Sequence, residues 1–340
     1  MDEMPPRVAD VLGAWDIPAP HASASVPAGT NNLSYRIEGA GRAYLLRIYQ
    51  NTTDLARLAD EHRLLQRLQG VALSFVVPDP LPTRFGTTLA PVGREGMGDG
   101  WAALFPVIPG HHPRAPDEDD TRAMGIALGE LDAVLRALPS DFMHAPHALY
   151  GDLEHVHPLV AGSEDVVRDL SLGGERWRDY DRLIATIHAA LPSLYGALPQ
   201  QLIHSDFGRS NVLMTGGRVT GILDFEFAAP DLRALDFAIG LYHCACTTSG
   251  RFAVRWELVD AFAAGYGARV RLDRAEVDAL PTLLRVRRVA SILHRLGRHR
   301  AGLADKAAVE EQLGDTLLLH RWLLDHDTEL MGRVWRWVIQ

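Results

Sequence analysis

The alternation of hydrophobic and polar positions predicts a small β-rich region with one helix in the first hundred residues. Two short runs, Tyr35–Glu38 and Tyr44–Tyr49, flank a Gly-Ala-Gly turn at positions 39–41 and therefore predict a β-hairpin. From Asp54 to Gln69 leucines recur at helical spacing, and Gly70 is suited to end the predicted helix. Three further apolar runs predict strands at Leu73–Val77, Thr87–Pro91 and Ala102–Val107.

A change of pattern marks a boundary after this region. Three prolines and a glycine interrupt the chain between positions 106 and 113, and the acidic run Asp117–Asp120 follows. Beyond it the pattern is mainly helical, starting with a predicted helix at Arg122–Leu138, except for two apolar strands within residues 201–227. We therefore predict an α+β fold with a small β-rich lobe, residues 1–107, a larger mainly helical lobe, residues 108–340, and a cleft between them.

Composition narrows the classes of function. The chain has 340 residues, is 47% apolar and carries a formal net charge of -9, which disfavours general binding to nucleic acid or anionic membranes. No segment resembles a secretion signal or approaches the roughly 18 apolar residues of a membrane span, so we expect a cytoplasmic protein. Cys244 and Cys246 are expected to be ordinary core thiols. The pattern does not indicate an oligomeric state.

The most specific pattern in the chain is His-x-Asp-x4-Asn, formed by His204, Asp206 and Asn211 and followed by a strand that ends in Asp224. Phosphoryl transfer needs a carboxylate that takes the proton of the attacking hydroxyl, and oxygen ligands that hold Mg²⁺ against the phosphates. Asp206 suits the first task, and Asn211 and Asp224 suit the second. The alternative is a hairpin whose Asp and Asn only cap turns. We expect His204 to fix the loop by hydrogen bonding rather than to catalyse.

This block resembles the aminoglycoside phosphotransferase–choline kinase–homoserine kinase type II superfamily. The resemblance rests on His-x-Asp-x4-Asn, on Ile-Leu-Asp-Phe at residues 222–225 and on Asp-Phe-Ala at residues 236–238, and it spans roughly residues 29–296. It implies a bilobal protein-kinase-like fold with a nucleotide-binding first lobe and a catalytic, acceptor-binding second lobe. It further implies ATP and Mg²⁺ as cofactors and Asp206 as the catalytic base. Asp236 is implied to brace the catalytic loop, although the N-cap of a helix would explain it equally well.

Small polar residues just before the first hairpin fit a turn over the ATP phosphates, which needs accessible N–H groups. They are Thr30, Asn31, Asn32 and Ser34. Taken alone, an ordinary β-turn is the simpler interpretation, and the resemblance favours the nucleotide role. Backbone groups of Phe105 and Val107 are the candidates for binding adenine, since Pro106 between them has no N–H.

Arg47 is a lone cation in an apolar strand, where kinases place a basic residue that holds the α- and β-phosphates. The only lysine, Lys306, lies far along the chain, and an arginine can grip phosphate as a fork. Glu61 falls within the leucine stripe of the predicted helix, and a buried carboxylate needs a partner. Arg47 is the obvious partner, and the resemblance implies this pair. The alternative places Glu61 at the edge of the stripe, in water.

Three charged residues are candidates for binding the acceptor. Glu226, two residues after the second predicted metal ligand, is expected to attract an ammonium group. Arg288 and Arg295 lie seven residues apart on a predicted helix at Thr282–Gly297 and could bind a carboxylate, although such clusters are usually solvated surface. The nucleotide loop, residues 224–228 and this helix resemble homoserine kinase type II-like proteins more than antibiotic kinases. Together with these charges, the resemblance implies a small hydroxylated acceptor that carries an amine or a carboxylate, with homoserine-like amino alcohols ahead of aminoglycosides. An aminoglycoside is the alternative, because a polycation would also suit an acidic chain.

Other classes of protein fit less well. A protein kinase is disfavoured because Ser205 and Glu226 replace residues typical of that class, and only eleven residues separate Asp224 from Asp236. A non-catalytic nucleotide-binding module is disfavoured because all three polar catalytic positions are present. A P-loop enzyme is excluded because no glycine-rich loop precedes Lys306.

Overall fold

The chain divides into two units, each built from two segments. The first comprises Met1–His112 and Ser210–Glu226, and the second Pro113–Arg209 and Phe227–Gln340. The predicted α+β class is confirmed, since the first unit holds a small β-sheet and the second is mainly helical. The lobe boundary at residue 107 stays a prediction. The computed structural model describes residues 6–17, 22–25, 32–39, 41–93, 100–139, 142, 149–247 and 252–339.

The first unit contains a five-stranded antiparallel sheet. Its strands are β1 Ala22–Ser25, β2 Leu33–Gly39, β3 Arg42–Ile48, β4 Ala90–Val92 and β5 Gly100–Pro106. Among the described residues they lie in the order β1-β2-β3-β5-β4. The predicted hairpin is formed by β2 and β3, and Gly41 at its turn has a φ of 73°, a conformation that favours glycine. Helix α1, Pro6–Leu12, shares a buried core with the sheet through Val8, Ile37 and Leu46.

Helix α2, Leu55–Gln69, follows this hairpin as predicted. Asp54 caps its start by accepting from two backbone N–H groups of the first turn. The buried face of the helix consists of Leu58, Glu61, His62, Leu64, Leu65 and Leu68. Glu61 is only 7% exposed, so it belongs to the apolar stripe and not to its solvated edge.

One predicted strand was wrong, and the bounds of another differ from the prediction. In the described stretch around Leu73–Val77 only Val76 makes a β-contact, an isolated bridge to Gly221. The strand predicted at Thr87–Pro91 is the shorter β4, which begins three residues later. Prolines at positions 78, 80 and 82 follow the first of these runs, and a residue without a backbone N–H cannot continue a ladder.

The segment predicted to hold two strands, residues 201–227, contains three, and a fourth follows directly after it. They are β6 Gln200–Ile203, β7 Val212–Thr215, β8 Arg218–Ile222 and β9 Ala229–Leu232. β6 pairs with β9 in the second unit, and β7 pairs with β8 in the first. The β7–β8 hairpin is fastened within the first unit by backbone hydrogen bonds, in which the N–H groups of Val76 and His111 each donate over 3.0 Å, to Thr220 and Met214.

Helices dominate the second unit, with one further pair of two-residue strands. The elements are α3 Glu118–Arg136, α4 Ser163–Asp169, α5 Gly174–Ala197, α6 Arg233–Ala245, β10 Cys246–Thr247, β11 Ala253–Val254, α7 Trp256–Gly267, α8 Arg274–Arg300 and α9 Lys306–Val338. Helix α8 starts at a capping box of Asp273 and Glu276 and continues through Pro281, so it is longer than the predicted helix. No helix in the described ranges combines the length and the apolar character needed to cross a bilayer.

Close contact between α3 and α7 depends on glycine. A Cβ atom on Gly125 would lie 2.3 Å from the carbonyl oxygen of Phe262, and one on Gly265 would lie 2.2 Å from that of Arg122. Only residues without a side chain let the two backbones approach this closely. As a result the hydroxyl of Tyr266 on α7 donates to Asp132 on α3 over 2.7 Å.

Candidate active site

The loop after β6 is held in one conformation by buried hydrogen bonds. The backbone N–H groups of His204 and Ser205 donate to the two carboxylate oxygens of Asp236, over 2.6 and 2.9 Å. The ring nitrogen Nδ1 of His204 accepts from the N–H of Asp206 at 3.2 Å. Ser205 has a φ of 70°, which is uncommon for a residue with a side chain. Asp236 therefore contacts the loop backbone, and the ring of His204 hydrogen-bonds within the loop.

Asp206 forms an ion pair with an arginine that the sequence analysis did not single out. Nη2 of Arg287, on α8, donates to Oδ1 of Asp206 over 2.7 Å. The Arg287 guanidinium lies over the ring of Tyr150, 5.1 Å from its centroid, and the Tyr150 hydroxyl donates to the Ser205 carbonyl over 3.1 Å. Burial, opposed by Arg287, raises the pKa of Tyr150 to about 12, so this phenol stays protonated at neutral pH.

A second buried carboxyl supports Asp236. Asp132 neighbours it, and burial raises the pKa of both groups; mutual repulsion raises that of Asp132 further. Asp236 accepts a backbone N–H on each oxygen, which favours its charged form. We infer that Asp132 is the protonated member of the pair. The signal that could have found Asp132 is its position in the apolar stripe of α3, the same signal that identified Glu61.

In the first unit Arg47 lies between two carboxylates. Its Nη1 is 3.5 Å from Oε1 of Glu61 and 3.3 Å from Oδ1 of Asp224, and its guanidinium lies 5.8 Å from the ring centroid of Phe105. Burial lowers the pKa of Arg47, but the carboxylates, Asp224 foremost, raise it above its ordinary value. The guanidinium is therefore a permanent charge, and the predicted contact between Arg47 and Glu61 is present.

Negative charge is crowded around this arginine. Burial raises the pKa of Glu61 to about 8; Arg47 opposes this shift, and repulsion from Glu226 and Asp224 adds to it. A divalent cation would relieve such crowding. Asn211 and Asp224 would offer it oxygen ligands, the type that Mg²⁺ prefers. The described residues hold no group of three or more His, Cys, Asp or Glu arranged for a metal, and Mg²⁺ does not require one.

The β7–β8 hairpin positions Asn211 and Asp224, the two predicted ligands of Mg²⁺. The N–H of Leu223 donates to the carbonyl of Asn211 over 2.8 Å, which fixes the end of the hairpin next to Asp224. Asp224 has a φ of 65° and Asn211 is buried. Non-glycine residues in this backbone region are strained and persist where their surroundings hold them in place. The hairpin therefore fixes the direction in which the Asp224 carboxylate leaves the chain.

Comparison with known proteins identifies the family. A sequence model described as the phosphotransferase enzyme family matches residues 24–280. The chain belongs to this family. It is 30% identical over 273 residues to a homoserine kinase of Methylorubrum populi, covering 79% of this chain and 78% of the relative. A homoserine kinase of Acidiphilium cryptum is 29% identical over 293 residues, covering 85% of each chain.

Solved structures agree on the fold. A microcompartment-associated aminopropanol kinase is similar with a TM-score of 0.68 at 18% identity, covering 96% of this chain and 98% of that structure. A spectinomycin phosphotransferase in complex with ADP and its antibiotic has a TM-score of 0.57 at 13% identity, covering 98% of each chain. The predicted superfamily and kinase-like fold are confirmed, and this phosphotransferase is a small-molecule kinase.

Part of the predicted nucleotide loop of the phosphotransferase can be placed. Asn32 donates from Nδ2 to Oε2 of Glu226 over 2.8 Å and accepts from the backbone N–H of Gln50 over 3.1 Å. Ser34 is buried on β2, directly opposite Arg47 in the β2–β3 register. Thr30 and Asn31 lie outside the described residues. Glu226 is buried with its described contact to this loop, so its predicted ammonium-binding role gains no support from its contacts.

The backbone N–H of Val107 is not available for the predicted adenine contact. The N–H of Val107 already donates to the carbonyl of Ala43 over 3.0 Å, so it is not available to a ligand. Phe105 lies opposite Leu45 in the same ladder. Because backbone groups alternate in direction along a strand, the carbonyl of Pro106 faces away from β3 and is the better candidate. The sequence pattern misassigned this alternation because it did not fix the register between β3 and β5.

The two arginines predicted to bind the acceptor have different surroundings. Arg288 lies over the ring of Tyr242, 4.9 Å from its centroid, and its Nη2 is 3.5 Å from the carbonyl oxygen of Gln312. Arg295 is partly buried two turns further along α8. The described contacts bring their neighbour Arg287 to Asp206 instead. The roles of Arg288 and Arg295 stay predictions.

Proposed function

We propose that this phosphotransferase transfers the γ-phosphoryl group of ATP, with Mg²⁺, to the hydroxyl of a small amino alcohol of the homoserine kind. The observation that carries the proposal is the similarity to homoserine kinases over about four-fifths of both chains. The aminopropanol kinase among the solved structures is consistent with it, because its named substrate is also a small amino alcohol.

The residues of the first unit would bind the nucleotide. Arg47, kept charged by Asp224 and Glu61, would hold phosphate oxygens. Asn211 and Asp224 would hold Mg²⁺, which when bound supplies charge neutralisation to the phosphate oxygens. Asn32 and Ser34 would line the phosphate-binding turn. The buried Glu61 fixes the direction of Arg47, so that the guanidinium is in place before the nucleotide arrives.

The residues of the second unit would activate the acceptor. Asp206 would accept a hydrogen bond from the acceptor hydroxyl, orient it and take its proton as the new P–O bond forms. Asp236 and His204 position this carboxylate through the loop backbone. These hydrogen bonds would hold the loop rigid. A small displacement of the base would misalign the acceptor hydroxyl for in-line attack on the phosphorus.

A second candidate acceptor is a polycationic aminoglycoside. The net charge of -9 favours it, since a negative surface attracts polycations. The likeness to antibiotic kinases at 13% identity supports a common fold only. The amino-alcohol proposal therefore rests on stronger similarity, and the two candidates predict different substrate preferences.

The deciding experiment compares kcat/KM for L-homoserine, choline and a panel of aminoglycosides in one buffer, following ADP release and the phosphorylated product. We expect L-homoserine to exceed every aminoglycoside by about tenfold or more, which corresponds to about 1.4 kcal/mol of transition-state binding. Asp206→Ala protein, purified in parallel, controls for contaminating kinases. If an aminoglycoside exceeds L-homoserine by about tenfold, the amino-alcohol proposal is wrong.

A further inference from the structure

Two consecutive arginines on α8 are incompletely satisfied, and the first of them, Arg287, contacts the predicted base. Arg287 contacts Asp206 through one nitrogen only, Nη2, and its Nη1 contacts the hydroxyl of Ser291. Arg288 makes no ion pair within the described residues. The Nε–H groups of both arginines are buried and have no hydrogen-bond partner among the described residues. Because a buried donor without an acceptor is costly, this arrangement favours an additional anionic ligand.

The surroundings of these arginines are positively charged. Burial, together with Arg287, Arg288 and Arg209, lowers the pKa of His243 to about 3, so its ring stays neutral among the cations. Burial, with added repulsion from Arg287, lowers the pKa of Arg288 below its ordinary value. Asp206 is the carboxylate in direct contact with Arg287. Tyr242 and Asp315 partly offset the positive charge of Arg288, although neither forms an ion pair with it among the described residues. An anion is therefore the ligand that this neighbourhood would attract.

The ion pair between Arg287 and Asp206 can be reached from solvent. The side chains are 16% and 27% exposed, respectively, so a ligand can contact both without unfolding the loop. Arg287 uses one of its nitrogens on Asp206, whereas a carboxylate binds best to two parallel N–H groups. A ligand carboxylate could thus bind Arg287 more completely than Asp206 does, after a small rotation of the guanidinium.

This arrangement also interferes with the proposed base. The Asp206 oxygen that accepts from Arg287 is less available to an acceptor hydroxyl. Exchange of Arg287 from Asp206 to a ligand carboxylate would free that oxygen when the acceptor arrives. In homoserine the hydroxyl and the carboxyl carbon are separated by three carbons, roughly 5 Å at about 1.5 Å per bond. One such molecule can therefore place its hydroxyl on Asp206 and its carboxylate on the adjacent arginine.

We propose that Arg287 and Arg288 form the binding site for a carboxylate of the acceptor, and that this carboxylate takes Arg287 from Asp206 and so releases the base. The proposal rests on the amino-alcohol function above and deepens it, because it selects amino alcohols that carry a carboxylate over those that lack one. It also assigns the carboxylate to Arg287 with Arg288, in place of Arg288 with Arg295.

The test uses two acceptors that differ only by the carboxylate, L-homoserine and 3-aminopropan-1-ol, with wild type, Arg287→Met, Arg287→Lys and Arg288→Met. We expect Arg287→Met to lower kcat/KM for L-homoserine about 100-fold, mainly by raising KM. The same variant should change kcat/KM for 3-aminopropan-1-ol less than about threefold. Arg288→Met should act in the same direction but more weakly. Arg287→Lys should recover part of the lost activity, because it keeps the charge and loses the fork.

Controls separate binding from folding. Arg274→Met removes an exposed arginine from the first turn of the same helix, where Arg274 pairs with Asp278, and should leave both acceptors unaffected. Arg287→Met and Arg287→Lys should show the circular dichroism spectrum and the cooperative thermal unfolding of wild type, so that a lower kcat/KM for L-homoserine reports lost binding and not lost structure.

Three outcomes would overturn the inference. If Arg287→Met lowers kcat/KM equally for both acceptors, Arg287 only positions Asp206 and does not bind the carboxylate. A wild-type preference for 3-aminopropan-1-ol would refute the carboxylate site while leaving the amino-alcohol function intact. If wild type phosphorylates neither acceptor, the proposed function fails, and this inference fails with it.

Discussion

Removing the carboxylate of Asp236 should damage both the stability of the protein and its activity. Asp236→Ala leaves the backbone N–H groups of His204 and Ser205 buried without an acceptor. A hydrogen bond to a charged group contributes about 1.5–3 kcal/mol, so the two bonds together contribute about 3–6 kcal/mol. The variant also removes a buried charge that is itself costly to keep. We therefore expect a loss near the lower end, about 3 kcal/mol in the free energy of unfolding.

The loss of activity should exceed what the loss of stability explains. Ser205 is held at a φ of 70°, a conformation that costs about 1–3 kcal/mol and that the bonds to Asp236 help to maintain. Without them the loop can relax and displace Asp206, and a displacement of about 1 Å can cost about 100-fold in rate. We expect kcat to fall by about this factor at a temperature where the variant remains folded.

The measurements are urea unfolding followed by circular dichroism, and steady-state kinetics with saturating ATP. Asp132→Asn is the matched control, because Asn replaces a carboxyl that we infer to be protonated and can still donate to Asp236. Its stability relative to wild type should rise with pH above 3.8, the ordinary value for Asp, since the raised pKa of Asp132 makes the wild-type fold retain a proton that the unfolded chain releases. A loss below about 1 kcal/mol in Asp236→Ala, or an equally damaging Asp132→Asn, would refute this reasoning.

Five further variants test the proposed roles directly. Asp206→Ala should bind Mg-ATP as wild type does in calorimetry, yet lose kcat by orders of magnitude; turnover near wild type would exclude Asp206 as the base. Asp224→Ala and Asn211→Ala should each weaken Mg-ATP binding, and unchanged affinity with unchanged Mg²⁺ dependence in both would disprove the metal assignment. Arg47→Ala should raise KM for ATP about tenfold or more and KM for the acceptor much less, with partial recovery in Arg47→Lys; an effect on the acceptor alone would contradict the phosphate role.

Patterns within one segment of chain were predictable from the sequence. The stripe that contains Glu61, the end of α2 at Gly70 and the hairpin of β2 and β3 depend on residues close together in sequence, and all three are present. The predicted family and fold class are confirmed as well, because the His-x-Asp-x4-Asn pattern is specific. Each of these local features depends only on the spacing of residues within one segment, so it can be predicted without knowing which distant segments pack against it.

Contacts between distant segments were harder to predict. Arg287 was overlooked because helical spacing grouped Arg288 with Arg295, and spacing alone does not reveal which face of α8 meets the loop after β6. The use of the Val107 N–H in the sheet depends on the register of two strands more than fifty residues apart. Asp132 could have been found, since it is a lone acidic residue in an apolar stripe, but its partner Asp236 lies over a hundred residues away.

The first unit is built from two separate segments of the chain, and this limits how the enzyme can be divided into fragments or recombined with relatives. A fragment ending at His112 lacks the β7–β8 hairpin, so backbone groups of Val76 and His111 lose their partners and Arg47 loses Asp224. During synthesis the first unit cannot be completed until the chain has emerged beyond Glu226, by which time the segment carrying Asp206 has already been made. A chimera that exchanges one whole unit with a relative therefore needs three junctions, after His112, Arg209 and Glu226, and a single crossover would separate Arg47 from the carboxylate it contacts.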